Sequence, residues 1–69
     1  MPNETFARLI RRKRLELSMS VEELAEAVGV QRVAVWKWEK GVSKPYPKNA
    51  RALAAALGMP IRELAEYLK

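Results

Sequence analysis

The sequence contains no cysteine and no histidine. The first absence excludes disulfide staples and thiolate metal sites. The second removes the commonest general base and the commonest metal ligand together. The acids stand at positions 4, 16, 22, 23, 26, 39, 63 and 66, and none forms the alternating acidic loop that holds calcium. No set of residues for catalysis is left. The chain is therefore not expected to be an enzyme, nor to take a metal, a cofactor or a small-molecule ligand. An apolar run of about 18 residues, the length that spans a membrane, is missing too, and no signal-peptide pattern opens the chain. A soluble, intracellular protein without a membrane partner is expected.

What the sequence has is charge, unevenly placed. Its length of 69 residues corresponds to a single domain, 1–69, with a net charge of +5. A chain this short buries only about 60% of its unfolded surface, so each core residue counts. Residues 30–51 carry Arg32, Lys37, Lys40, Lys44, Lys48 and Arg51 against one acid, Glu39, which places a net +5 in that third of the chain. Glu22, Glu23 and Glu26 lie just before it. One basic face implies an anionic partner, although a merely solvated basic surface fits the charge alone.

Apolar spacing predicts five helices and no strand. Phe6, Leu9, Ile10, Arg14 and Leu17 recur on one face of the first, with Asn3 or Thr5 as its cap. Arg14 is out of place there, because a lone charge on an apolar face is costly to bury. Ser20 and Glu23 form a capping box at the start of the second helix. Its stripe is Val21, Leu24, Ala25 and Val28, and Gly29 ends it. The third begins near Gln31 and ends at Gly41. Val35 and Trp38 point to one side of it with Ala34 beside them, whereas Val33, Trp36, Lys37 and Lys40 point to the other, with Arg32 at their edge. Residues 41–48, GVSKPYPK, read as a loop in which Tyr46 is an anchor. Ala50, Leu53, Ala54 and Leu57 mark the fourth helix. Ile61, Leu64, Ala65 and Leu68 mark the fifth, with Pro60 in its first turn.

Two short helices joined by a three- to four-residue turn containing glycine form a helix-turn-helix, here residues 20–41. Ala25 and Ala34 are small enough for the close crossing it requires. The major groove of B-form DNA admits one helix, and the third helix has one face to anchor and one to offer. The stretch SVEELAEAVGVQRVAVWKWEKG at 20–41, with E-E-L-A at 22–25, V-G-V at 28–30, Val35 and W-E-K-G at 38–41, resembles the lambda-repressor-like domains of phage repressors, Cro proteins and XRE-type bacterial regulators. Lys44-Pro45, the L-A-A-A-L-G run at 53–58, and Phe6, Ile10 and Arg14 extend the resemblance over nearly the whole chain.

The resemblance implies a compact all-α, five-helix DNA-binding domain. It implies a transcription regulator, repressor- or Cro-like, that binds double-stranded DNA in the cytoplasm of a bacterium or from a phage, associated with the nucleoid. Arg32, Val33 and Lys37 then read bases. Arginine and lysine favour guanine, and valine suits a thymine methyl. Trp36 is placed with them, although packing on a neighbour or a protein contact also fits it. Ser20, Val21, Gln31, Lys40 and Lys44 fall at phosphate-holding positions, in part through helix N-termini. The family often pairs an arginine and a glutamate at the positions of Arg14 and Glu39, and the charge of Arg14 on an apolar stripe needs a partner, so these two are expected to form a salt bridge that ties the third helix to the first.

Some positions depart from the family. Val21 replaces a common glutamine and cannot grip a phosphate with its side chain. Ser18 replaces a common glycine, and Pro47 a usual apolar residue. One helix reads too few base pairs to find a site in a genome. Two copies on a pseudo-palindromic operator are therefore expected, meeting weakly through Tyr67 and Leu68, with Met59 or Ile61 nearby. For the run RRKR at 11–14 a solvated helix face is the first reading, and a distal phosphate contact by Arg11 or Arg12 the second; for Tyr46 a loop anchor is the first and a phosphate contact the second. A protein-interaction module on the same fold, an antitoxin-type autorepressor and a cationic membrane-surface peptide are the alternatives. Five stripes that fit one core oppose the last. A complete regulator, with no sensing or oligomerisation domain after Lys69, an excised domain and a designed chain all fit the length.

Overall fold

Helices of seven to eleven residues are marginal in water alone, so each of these depends on the surface it buries. The computed structural model describes residues 4–69. It contains α1 (Phe6–Glu16), α2 (Val21–Val28), α3 (Arg32–Glu39), α4 (Pro47–Ala56) and α5 (Ile61–Tyr67), with no strand among the described residues. α2 packs on α3 and α4, α1 on α3, and α4 on α5. One core results, built from Phe6, Leu9 and Ile10 of α1, Leu24, Ala25 and Val28 of α2, Val35 and Trp38 of α3, Ala50, Leu53 and Ala54 of α4, then Leu57, Met59 and Leu64. Thr5 caps α1 by accepting the Arg8 N–H at 3.2 Å. Asn3, the other expected cap, lies outside the described residues.

Three expectations need correction. Leu17 lies beyond the end of α1 and is exposed, because the helix stops at Glu16, one residue before the last member of the stripe. α4 begins at Pro47, so the loop is shorter than 41–48. Proline belongs at a first helical position, where its missing N–H costs nothing. In α5 only Leu64 is fully buried. Leu68 is half-buried, while Ile61 and Ala65 face outward, since α5 lies at the edge of the fold against α4.

Four of the helices end in the same way. Val30, Val42 and Met59 donate their N–H groups back to the carbonyls of Ala25, Lys37 and Ala54, past Gly29, Gly41 and Gly58 at positive φ. At the end of α1, Met19 donates to Arg14 and Ser18 to Leu15, both at 3.0 Å. Here serine holds the left-handed position at φ 56°. A side chain in that conformation costs about 1–2 kcal/mol, and glycine's larger unfolded entropy returns roughly half of it. Ser18→Gly should therefore stabilise the fold by about 0.5–1 kcal/mol and raise the melting temperature by a few degrees. A melting temperature below that of the parent would show that the Ser18 side chain contributes more than its backbone costs.

Candidate nucleic-acid interface

α3 is held from behind and open in front. Val35 and Trp38 are buried in the core, and Ala34 packs half-buried beside them. Arg32, Val33, Trp36, Lys37 and Lys40 are exposed. Val33 retains 48% of its surface and Trp36 51%, two exposed apolar side chains next to cations on the same face. The Lys40 ammonium stands 5.9 Å from the centre of the Trp36 ring, within cation–π range. Gln31 occupies the position before α3 without capping it, so its amide is not spent on the helix.

The turn into α3 is set by α2. Ser20 Oγ accepts the Glu23 N–H at 3.0 Å, and the Glu23 carboxylate accepts the Ser20 N–H at 2.8 Å. Gly29 at φ 89° ends the helix, and Arg32 follows three residues later. Among the phosphate-holding candidates, Gln31, Lys40 and Lys44 are exposed. Ser20 is exposed but engaged in its box, and Val21 packs half-buried against the core. Arg32 Nη1 donates to Glu22 Oε2 at 3.2 Å across the two helices. The Glu22 carboxyl lies below its usual range, held there first by its own backbone N–H and then by Arg32.

Lys37 and Val33 share a shallow depression with Ser43, Lys44, Tyr46 and Asn49. Tyr46 is 79% exposed and anchors no loop, which corrects the sequence reading. Placing the loop's end two residues too late concealed Ser43, Tyr46 and Asn49 as neighbours of Lys37. The signal was Pro47, a residue suited to a first helical turn. No side chain caps α4, and Lys48 stands exposed in that turn.

Glu39, the only acid of residues 30–51, does not weaken this basic face. Its carboxylate accepts from Arg14 Nε at 2.7 Å and from Arg14 Nη2 at 3.0 Å. Arg14 Nη1 also donates to the Met19 carbonyl at 2.9 Å. The two side chains are 10% and 8% exposed. The hydrogen bonds that Arg14 donates to Glu39 push the guanidinium's pKa up, against the effect of burial. One buried charge thus neutralises the other, and all six cations of the segment remain on the surface.

Elsewhere, Arg12 bonds Glu4 and Glu16 along the outer face of α1. Tyr67 and Leu68, the candidates for contact between copies, are half-buried against the core. Met59 is buried within it and unavailable for such a contact. Ile61, Ala65 and Leu68 instead line an apolar depression with Pro45, Pro47 and Ala50. No helix among the described residues is long and apolar enough to cross a membrane.

Residues 10–64 match a family model described as helix-turn-helix. The chain is 48% identical over 50 residues to an HTH-type transcriptional regulator of Methanothermobacter thermautotrophicus, covering 72% of each chain. It is 36% identical over 59 residues to the cryptic phage CTXphi transcriptional repressor RstR of Vibrio cholerae, covering 86% of this chain and 53% of that one. The present chain thus spans about half the length of RstR. Among solved structures, the DNA-binding domain of the P22 c2 repressor matches with a TM-score of 0.86 at 31% identity, over 94% of this chain and 86% of that one. The P22 c2 repressor in complex with a synthetic operator matches with a TM-score of 0.85 at 31% identity, over 90% and 94%. Fold, sequence and the split faces of α3 agree: the chain belongs to the lambda-repressor-like helix-turn-helix family.

Proposed function

We propose that the chain is a sequence-specific DNA-binding transcription regulator that lays α3 in the major groove of double-stranded DNA. The observation that carries this reading is the outward face of α3. It keeps two half-exposed apolar side chains, Val33 and Trp36, between Arg32 and Lys37 on a helix whose other face is anchored by Trp38. Cations supply affinity for any duplex, whereas the apolar pair suits base edges and thymine methyls. Arg32, Val33, Trp36 and Lys37 read bases in this proposal. Gln31, Lys40 and Lys44 hold phosphates, and Ser20 and Val21 contribute at most backbone N–H groups. The role is binding without catalysis. The solved complex of the P22 c2 repressor with a synthetic operator supports the DNA-binding reading. Selection of bound duplexes from random sequence at fixed ionic strength tests it. Enrichment of a related set of sites is expected. Salt-dependent binding with no enrichment would refute sequence-specific recognition, and no binding would refute the whole reading and favour a protein-interaction module on the same fold.

Two copies pair on a pseudo-palindromic site with half-sites about 10 base pairs apart. The exposed apolar surface at the α4–α5 end is small, because Leu64 and Met59 serve the core and Tyr67 and Leu68 are half-spent on it. Interfaces well below about 1,200 Å² are transient. The free chain should sediment as a monomer at micromolar concentration and bind a full site cooperatively. Equal affinity per copy for half-site and full-site duplexes would overturn the pairing, and a stable free dimer would overturn its weakness.

A further inference from the structure

The first turns of α2 and α3 meet around a cleft lined by Val21, Glu22, Arg32 and Trp36. Arg32 and Trp36 belong to the proposed reading face. A carboxylate beside them is unfavourable next to phosphates, since like charges repel. A helix start welcomes an acid, but at this helix start Glu23 already closes the capping box. Among the described residues, Arg32 is the only one of the six cations of residues 30–51 that carries an ion pair, and its partner is Glu22. The bond uses Nη1. A guanidinium has five N–H donors, so a fork remains for guanine O6 and N7.

We propose that Glu22 is a positioning residue: it withholds Arg32 from the DNA backbone and aims it at a base. This rests on the DNA-binding reading above. An arginine side chain free to swing finds phosphate oxygens more readily than a base edge, and phosphate contacts carry no sequence information. Glu22 biases that choice by the modest amount an exposed ion pair supplies, its side chain being 61% and that of Arg32 74% exposed. Gln31 apart, the side chains left to grip the backbone are then the cations that follow α3. At the start of α2 stand the engaged Ser20, the apolar Val21 and the acids Glu22 and Glu23. After Glu39 come Lys40, Lys44 and Lys48, all exposed.

The test compares the parent, Glu22→Gln, Arg32→Ala and the double variant. Each is titrated against the selected operator, its single-base variants and a random duplex over a range of salt. Glu22→Gln should bind the random duplex about 2- to 5-fold more tightly, the scale of one exposed ion pair. It should steepen the salt dependence by about 0.9, one phosphate contact more. It should also lose several-fold of the preference at the base pair that Arg32 reads. In the Arg32→Ala background the same substitution should leave discrimination unchanged. If Glu22→Gln shifts only the melting temperature, Glu22 merely starts a helix and the proposal fails. It fails equally if that variant keeps full discrimination and the parent's salt slope. If the parent itself selects no sequence, the DNA-binding reading fails with it.

Discussion

Replacing Arg14 by methionine should destabilise the fold by about 3–5 kcal/mol, the cost of removing one partner from a buried ion pair. Methionine fits the space but donates nothing. The Glu39 carboxylate, 8% exposed, would lose both of its bonds from the guanidinium. The Met19 carbonyl would lose a third. A domain of this length has a total stability of roughly 3–10 kcal/mol, so the variant should be partly or wholly unfolded at room temperature. The loss is not the worth of the pair. When both partners become apolar, no buried charge remains, and such replacements are often neutral or stabilising. Arg14→Met combined with Glu39→Leu should therefore recover most of the stability. Urea unfolding of the two single variants and the double variant closes the cycle. Additive losses would mean that the two side chains do not act as a pair. The arrangement also bears on binding, because Arg14 joins the end of α1, the α1–α2 turn and α3. The double variant should fold, and its affinity will show whether the pair also holds α3 at the right angle.

Lys37→Ala should relax sequence preference at one or two base positions by about 1–3 kcal/mol, roughly 5- to 150-fold, the value of a good base contact. Lys44→Ala should act differently. A phosphate contact discriminates nothing and adds about 0.9 to the slope of log affinity against log salt. That variant should weaken all duplexes alike and flatten the slope by about one unit. The two lysines line the same depression beside Val33, so overall charge loss cannot separate them and only their placement does. Lys37 rises from the outward face of α3, while Lys44 lies on the loop that follows it. Competition of the selected operator against its single-base variants, repeated over a range of salt, measures both quantities. Exchanged phenotypes would mean that α3 does not lie in the groove as proposed.

Several features needed no coordinates to be seen. The capping box of Ser20 and Glu23, the stop at Gly29 and the anchoring role of Trp38 follow from residue type and spacing. Each depends on bonds within one or two helical turns, or on a stripe that has one apolar side only. The misread features were those in which position in the fold outweighs local pattern. Leu17, Ile61 and Ala65 continue their stripes in sequence but extend past the surface they would bury. Tyr46 has the composition of an anchor, yet it stands where no neighbour covers it. Ser18 keeps a glycine's backbone conformation because the bonds around it demand that conformation.

The sequence by itself determined the class of the molecule: five short amphipathic helices and a net positive charge gathered in one third of the chain. Local rules suffice for these, because helical period, capping and charge count do not depend on what lies across the core. Only the tertiary structure decided which charges are free to act. Arg14 and Glu39 are 25 residues apart and Arg32 and Glu22 are 10 apart. The first pair was legible without the fold, because a charge on an apolar stripe needs a partner and the family resemblance supplies Glu39; no local pattern states that the second spans the cleft between α2 and α3. A charge bears on function through its nearest partner and its exposure, and both are set where helices distant in sequence cross.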